Sequence, residues 1–293
     1  NQYFVENGPY CPALINFIKN HYEEYQAIIF FSYGTYISSL GLQTGLNNGL
    51  FIPTVHESIS IRSLSYEKVF EGVQGFIYNS YEEREMVRSV FSNSDKKEMV
   101  TCVGFDEPDI DKIDNSIAKK YGEYMIYVGR ISDSKNCQKL FDYFLNYKKR
   151  NASKLKLVLV GKEDGVKVPI HKDIIHAGFI SDLEKSALIK GAKFLVNNSI
   201  NESLSLVMLE SMILGRPVIV NGNCDVMRGQ CQRSNAGLYY NNYLEFEAVI
   251  NYMLTHDREY EAMCENGVVF VRKNYTWSVV IKNICNFIET YKK

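Results

Sequence analysis

Short apolar runs bounded by turn residues recur in the first third of the chain, at Ala27 to Phe31, Leu50 to Val55, Gly75 to Tyr78 and Glu98 to Val103. Stretches with helical spacing lie between them. Tyr81 to Ser92 is the clearest, because Ser80 supplies an N-cap while Glu82, Glu83 and Glu85 put acids near the positive end of the helix dipole. Strands that alternate with helices predict a parallel sheet covered on both faces, an α/β fold. A polar stretch with a proline, Asp106 to Asn115, reads as a linker, and the pattern then restarts.

In the second part, strands are predicted at Tyr124 to Val128, Leu155 to Val160, Ile174 to Phe179, Phe194 to Asn197 and Pro217 to Val220. Helices are predicted at Lys135 to Arg150, Asp182 to Lys190 and Leu204 to Leu214, with a terminal helix over Asn274 to Lys293 around Trp277, Val280, Ile284 and Phe287. In such a sheet ligands bind beyond the carboxyl ends of the strands. The loops after Val128, Val160, Phe179, Asn197 and Val220 are therefore where chemistry is expected.

A length of 293 residues divides into two domains at roughly 150 residues each. With 46% hydrophobic and 23% charged residues, disordered, collagen-like and disulfide-scaffold chains are excluded. Lys and Arg number 33 against 34 Asp and Glu, a net charge of -1. No bulk field draws in nucleic acid, so an anionic partner must be held by a local site. Seven scattered cysteines without a CxxC pair read as reduced thiols in a cytosolic protein. Gln26 to Val55 carries no charge and is long enough to cross a bilayer. Its many Ser, Thr, Asn and Gly residues predict instead a buried strand, a small-residue turn and a helix.

Two loops carry candidate chemistry. After Val128 the chain reads Gly129, Arg130, Ile131, Ser132, Asp133, Ser134, Lys135, Asn136. The glycine lets the backbone approach a ligand, and two cations five residues apart can clamp a diphosphate beside a helix N-terminus. The plainer reading is a pair of solvated loop charges. The second loop, Asn201 to Glu210, carries Glu202 and Glu210, read as lying on one side of a helix with Glu202 at its N-terminus. A carboxylate there accepts paired hydrogen bonds from vicinal hydroxyls, while the N–H groups of Ser203, Leu204 and Ser205 bind anionic oxygen. Glu210 lies among Val207, Met208, Leu209, Met212 and Ile213, where an unpaired carboxylate is costly. That combination suits a sugar nucleotide. Other signals are weaker. Asp109, Ile110, Asp111 forms a DxD but lies in the linker, and Cys224, Cys231, His171 and His176 lack zinc-ligand spacing, so no metal is expected. The Gly161 to Gly165 loop has no dinucleotide or P-loop spacing.

Val-Gly-Arg with a lysine five residues beyond the arginine, His-Ala-Gly-Phe-Ile-Ser at 176–181, Asn-Glu-Ser-Leu-Ser through Glu210, and Gly-Arg-Pro-Val-Ile at 215–219 resemble the nucleotide-sugar-binding half of retaining family 4 glycosyltransferases of the group 1 type. The likeness spans about residues 123 to 240. It implies the GT-B fold, two Rossmann-like domains facing across a cleft. It also implies that Gly129, Arg130 and Lys135 hold the donor diphosphate, that Glu202 with the amides of Ser203, Leu204 and Ser205 meets the transferred sugar or phosphate, and that Glu210 holds the ribose hydroxyls. Gly178, Phe179 and Ile180 match the segment that reads the base. The first 110 residues resemble the family more weakly, in Pro53 to Glu57, in Tyr78 to Ser80 followed by Glu82, and in Val103 to Asp106. His56 corresponds to a strand-end histidine of the acceptor domain. Where many members place a histidine over the donor sugar, this chain has Ser32, Tyr33, Gly34.

The sequence therefore predicts an N-terminal acceptor-side domain over residues 1–110, a nucleotide-sugar-binding domain over 111–273 and a terminal helix over 274–293 that returns toward the first domain. The expected activity is retaining sugar transfer from a nucleotide sugar to a saccharide or lipid-linked acceptor, without metal or cofactor. Arg130, Lys135, Glu202 and His56 are the candidate catalytic residues. The helix at 135–150 mixes Lys139, Lys148, Lys149 and Arg150 with Phe141, Tyr143, Phe144 and Tyr147. That suits a peripheral contact at the inner face of a cell membrane, and more simply aromatics packed on the sheet with solvated lysines. The rival functions are a nucleotide-sugar epimerase with the same clamp and a non-catalytic binding subunit. The first domain reads as incomplete, with the natural chain expected to extend upstream of Asn1.

Overall fold

The computed structural model describes residues 8–56, 59–92, 95–101 and 103–291. Asn1, Glu57 of the histidine segment and Cys102 of the fourth apolar run lie outside the described residues. The chain divides into two compact units, residues 1–104 with 277–293, and residues 105–276.

The first unit is built on four parallel strands, β1 (Ile28–Phe31), β2 (Gly49–Ile52), β3 (Gly75–Tyr78) and β4 (Lys97–Val100), in that spatial order. Helices α1 (Pro12–His21), α2 (Tyr36–Gly41), α3 (Glu67–Glu71) and α4 (Tyr81–Val90) accompany them. The uncharged run from Gln26 to Val55 forms β1, a turn, α2 and β2. No described helix is long and apolar enough to cross a membrane. The core is aromatic, with Phe51 and Phe76 fully buried and the Phe70 and Phe91 rings stacked 3.9 Å apart. Ser80 Oγ accepts from Glu83 N at 3.1 Å and caps α4, as its position before the acidic turn predicts.

The second unit contains, in chain order, α5 (Ser116–Lys119), β5 (Tyr124–Val128), β6 (Ile131–Ser132), α6 (Cys137–Arg150), β7 (Lys156–Val160), β8 (Glu163–Asp164), β9 (Ile174–Gly178), α7 (Asp182–Gly191), β10 (Leu195–Asn197), α8 (Leu206–Ile213), β11 (Val218–Asn221), α9 (Asp225–Ser234), β12 (Gly237–Tyr240), α10 (Tyr243–Thr255) and α11 (Asp257–Asn274). Six strands make one sheet in the order β12-β11-β10-β5-β7-β9, with every pair parallel. The pattern reading found five of them and missed β12. Only four residues long and opening on Gly237, β12 is defined by its pairing with β11. Leu157, Val158 and Leu159 have no exposed surface, as expected of a strand covered on both faces. On α6, Leu140, Phe141, Phe144 and Tyr147 are buried while Lys139, Lys149 and Arg150 stay exposed, which favours the packed-helix reading. Lys148 departs from it, being only 10% exposed and paired with Asp173 at 3.2 Å.

The terminal helix is also shorter than expected. α11 ends at Asn274, Tyr275 and Thr276 break the run, and α12 (Trp277–Glu289) begins anew. The stretch read as a linker opens the second unit, where Phe105 N donates to Tyr275 O at 3.3 Å. Asp109 of the DxD is engaged by Lys112 at 2.7 Å, an exposed contact that holds its carboxyl below the ordinary value.

The strand order has one switch point, the place where ligands bind in sheets of this kind. From β5 the chain moves outward to β7 and β9, then returns to the other side of β5 for β10, β11 and β12. The loops after β5 and β10 thus leave the sheet in opposite directions and open a crevice at the carboxyl ends of the strands.

Candidate functional site

Both loops singled out by their chemistry border that crevice. Beyond β5, Gly129 adopts φ 150° and its N–H donates to Val160 O at 2.9 Å. The buried Tyr127 hydroxyl donates to Arg130 O at 2.6 Å, and burial raises the Tyr127 pKa, so the hydroxyl keeps its proton. Arg130 itself is largely exposed and lies 3.4 Å from Asp164 Oδ2 on β8. β6 and β8 pair in parallel and bring the loop after β5 against the loop after β7.

Lys135 closes a single 3-10 turn, Asp133–Lys135. The next residue, Asn136, has φ 54° in the left-handed region, so α6 starts only at Cys137 and Lys135 stands outside it. The reading that began the helix at Lys135 misses this break, which a tertiary contact stabilises: Asn198 Nδ2 donates to Asn136 O at 2.7 Å.

Glu202 is likewise outside a helix. α8 begins at Leu206, and Ser205 before it takes φ 65°. Glu202 therefore belongs to the irregular segment after β10, and its relation to Glu210 is set by that segment rather than by helical spacing. Asn197 at the end of β10 shapes the segment, donating from Nδ2 to Ser205 Oγ at 3.1 Å and accepting from Ser199 N at 3.0 Å. Gln230 on α9 donates to Leu204 O. Left-handed non-glycine residues cost free energy and persist only where the surroundings over-determine them. Here both stand beside candidate ligand groups.

The two loops meet at Lys135 Nζ and Glu202 Oε1, 2.6 Å apart, with side chains 26% and 15% exposed. Glu210 on α8 pairs with Lys185 Nζ on α7 at 3.0 Å, so the carboxylate that would be costly to leave unpaired among apolar neighbours has a cation. Burial works against the Lys185 charge, but Glu210 and Asp182 more than offset it and raise its pKa. Gly178 ends β9 with φ 79°, and Phe179 beyond it is 76% exposed, with Lys162 Nζ 5.0 Å from its ring centroid. Ile180 is partly buried, and Ser181 with Glu184 forms a capping box at the start of α7.

Of the sequence-selected residues, the structure joins Lys135 to Glu202, and sets Gly129, Arg130, Ser203, Leu204 and Ser205 in the same two loops. Glu210 lies one helix away, and Gly178, Phe179 and Ile180 precede α7, which carries its partner. His56 belongs to the first unit, where it is exposed after β2. In that unit the buried carboxylate of Glu83 accepts from Val55 N at 2.7 Å and from Asn79 N at 2.6 Å, joining the loop that carries His56 to the end of β3.

Sequence reasoning passed over Lys185, Asp164 and Asn198. Lys185 reads locally as an i,i+3 partner of Asp182 on a helix surface, and only the packing of α7 near α8 brings it to Glu210. Asn198 had a signal, two consecutive asparagines ending a buried strand. Among the described residues no group of three His, Cys, Asp or Glu side chains is placed to hold a metal ion.

Residues 109–269 match the family described as glycosyl transferases group 1. An alpha-monoglucosyldiacylglycerol synthase of Streptococcus pneumoniae is 26% identical over 176 residues, which take in 54% of this chain and 40% of that protein. Among solved structures, Anabaena HepE in complex with UDP superposes with a TM-score of 0.76 at 14% identity, covering 95% of this chain and 82% of HepE. The sucrose-phosphate synthase of Thermosynechococcus elongatus gives 0.72 at 17% identity, covering 95% and 77%. The family match spans more than half of the chain and contains both loops of the crevice: the chain belongs to the group 1 glycosyltransferases and has their GT-B fold.

Proposed function

We propose that this protein transfers a sugar from a nucleoside diphosphate sugar to a hydroxyl of a saccharide or lipid-linked acceptor, with retention and without a metal. The observation that carries the reading is the pair formed by Lys135 Nζ and Glu202 Oε1, 2.6 Å apart. A cation and a carboxylate from loops either side of the topological switch point are what a sugar diphosphate needs at its scissile bond. The cation faces the leaving phosphate and the carboxylate faces the sugar hydroxyls.

In this mechanism Arg130 and Lys135 neutralise charge that grows on the diphosphate as the bond from the anomeric carbon to its phosphate oxygen breaks. The acceptor oxygen bonds to the anomeric carbon on the face the phosphate leaves, and its proton passes to the departing phosphate oxygen. Glu202 orients the sugar. Glu210 accepts from the ribose hydroxyls, and the exposed Phe179 ring offers a stacking face for the base. A lipid-linked acceptor, supported by the name of the pneumococcal relative, brings the protein to the cytoplasmic face of a membrane.

The test is turnover of UDP-glucose with diacylglycerol and with saccharide acceptors, in the presence of EDTA. Lys135→Ala and Glu202→Ala are each expected to lose about a hundredfold or more in turnover with unchanged melting temperature, and the product to keep the donor's anomeric configuration. Unchanged turnover in either variant sinks the site assignment. Conversion of the donor without acceptor selects the epimerase, and binding without consumption selects the non-catalytic subunit.

A further inference from the structure

A second concavity lies at the opposite end of the same sheet. It has a volume of about 770 Å³ and is bordered by Gly122 and Glu123 before β5, Lys156 at the start of β7, Asp173 before β9, and the end of α6 with the turn that follows it. The strands between it and the crevice are five residues long, about 16 Å at the usual rise, so it is no part of the donor site.

Its lining is strongly biased in charge. Lys148, Lys149, Lys154, Lys156 and Lys172 face two carboxylates, Glu123 and Asp173. Asp173 is taken by Lys148, whose ammonium also donates to Ser153 O and to Leu155 O at 3.0 Å. Two of the Lys148 contacts thus hold the segment over 151–155 in place and the third holds Asp173. Glu123 is approached by Lys193 at 3.8 Å from outside the pocket. Among the described residues, Lys149, Lys154, Lys156 and Lys172 pair with no carboxylate. His171 Nδ1 accepts from Asp173 N at 3.2 Å, which places the proton of the neutral ring on Nε2 as a donor. Four unpaired ammonium groups around one concavity, on a chain of net charge -1, concentrate positive charge locally.

We propose that this pocket binds a phosphate-bearing anion, held by Lys149, Lys154, Lys156 and Lys172 on a floor fixed by Lys148 and Asp173. Lysine binds phosphate as a point charge, and a concavity of this volume admits a phosphorylated small molecule or the headgroup of an anionic lipid. The site is distinct from the donor crevice and does not depend on the function proposed there.

Two arms of one experiment on the full chain test it and separate the two sources of phosphate. Inorganic pyrophosphate is titrated calorimetrically into the wild type, Lys154→Gln/Lys172→Gln, Lys154→Glu/Lys172→Glu and Lys135→Ala. Sedimentation with phosphatidylcholine vesicles, with and without phosphatidylglycerol, is measured in parallel. A phosphate site here predicts a binding component that the glutamine pair weakens about tenfold or more, that the glutamate pair removes, and that Lys135→Ala retains. Loss confined to the pyrophosphate arm identifies a soluble phosphate ligand, and loss confined to the phosphatidylglycerol arm identifies a lipid headgroup. Binding that both lysine pairs leave unchanged in both arms overturns the proposal. If Lys135→Ala alone abolishes pyrophosphate binding, the anion sits in the donor crevice and the pocket is empty of function.

Discussion

Lys185 on α7 and Glu210 on α8 face each other at 3.0 Å, and each side chain keeps a quarter or less of its surface exposed. In the proposed function Glu210 accepts the hydroxyls of the ribose, and the Lys185 ammonium holds its carboxylate in one orientation. Lys185→Met is therefore expected to raise the KM for the donor with little change in kcat, because binding of the nucleoside is weakened equally in ground and transition states. Glu210→Ala, which removes the acceptor itself, should raise KM further, by about tenfold or more. Steady-state kinetics with varied donor checks both. A fall in kcat at unchanged KM would place the pair at the reacting bond instead.

Glu83 gives the first unit a pH dependence. Burial pushes its carboxyl from the ordinary 4.5 up to about 7, although the amides of Asn79 and Val55 favour the ionised form. The folded state thus binds a proton more tightly than the unfolded chain. Stability from this group is fully present below about pH 4.5 and falls as pH rises toward about 7, levelling above it. Melting temperature and hydrogen exchange of the Val55 and Asn79 amides, followed from pH 5 to 8, should show this decline. Glu83→Gln should flatten it while lowering stability by about 1–3 kcal/mol, because its NH2 faces a backbone N–H. Equal pH slopes in the two proteins would remove Glu83 as the cause.

What the sequence disclosed and what it hid divide along a physical line. β3 and β5 were legible residue for residue because their apolar runs are bounded by turn residues, and Ser80 announced its own cap. The loops that carry Arg130, Lys135 and Glu202 were legible too, since each follows a strand of the sheet. Their geometry was not. Ser205 and Asn136 adopt left-handed backbone where Asn197 and Asn198 hydrogen-bond to them, and the helices read as starting at Leu204 and Lys135 start just beyond these residues. Lys148 looked like one more surface lysine because its partner, Asp173, is brought to it by the pairing of β7 with β9. Long-range pairing of this kind leaves no local trace.

Asn198 tests how far that hidden framework supports the site. It has no exposed surface, donates to Asn136 O at 2.7 Å and accepts from the Tyr240 hydroxyl at 2.7 Å. Asn198→Ala strands both partners and should cost about 2–3 kcal/mol. It should also lower turnover, because the Asn136 turn that follows Lys135 loses its fastening. Tyr240→Phe removes only one bond and should be milder on both counts. Denaturant unfolding and turnover of the single and double variants check this. Strict additivity in stability would show that the two side chains do not act as one network.

At Gly161 the loops after β5, β7 and β9 meet. Its N–H donates to Gly178 O at 2.9 Å, its carbonyl lies 2.8 Å from His176 Nε2, and a Cβ placed on it would fall 1.9 Å from Gly129 O. Its φ of 140° is also one that side-chain-bearing residues rarely adopt. Gly161→Ala must therefore push the Gly129 turn away from β7, and Gly129 leads directly into Arg130. Gly165 is the comparison, since its φ of 86° is also positive but lies nearer the left-handed region that alanine can enter, and nothing lies within 4 Å of a Cβ there. Gly165→Ala should cost only the backbone strain, about 1–2 kcal/mol, and leave donor binding intact. Gly161→Ala should cost more than that and weaken donor binding as well, because the clamp itself is displaced. Equal losses of stability and affinity in the two variants would show that close approach at Gly161 contributes nothing beyond φ.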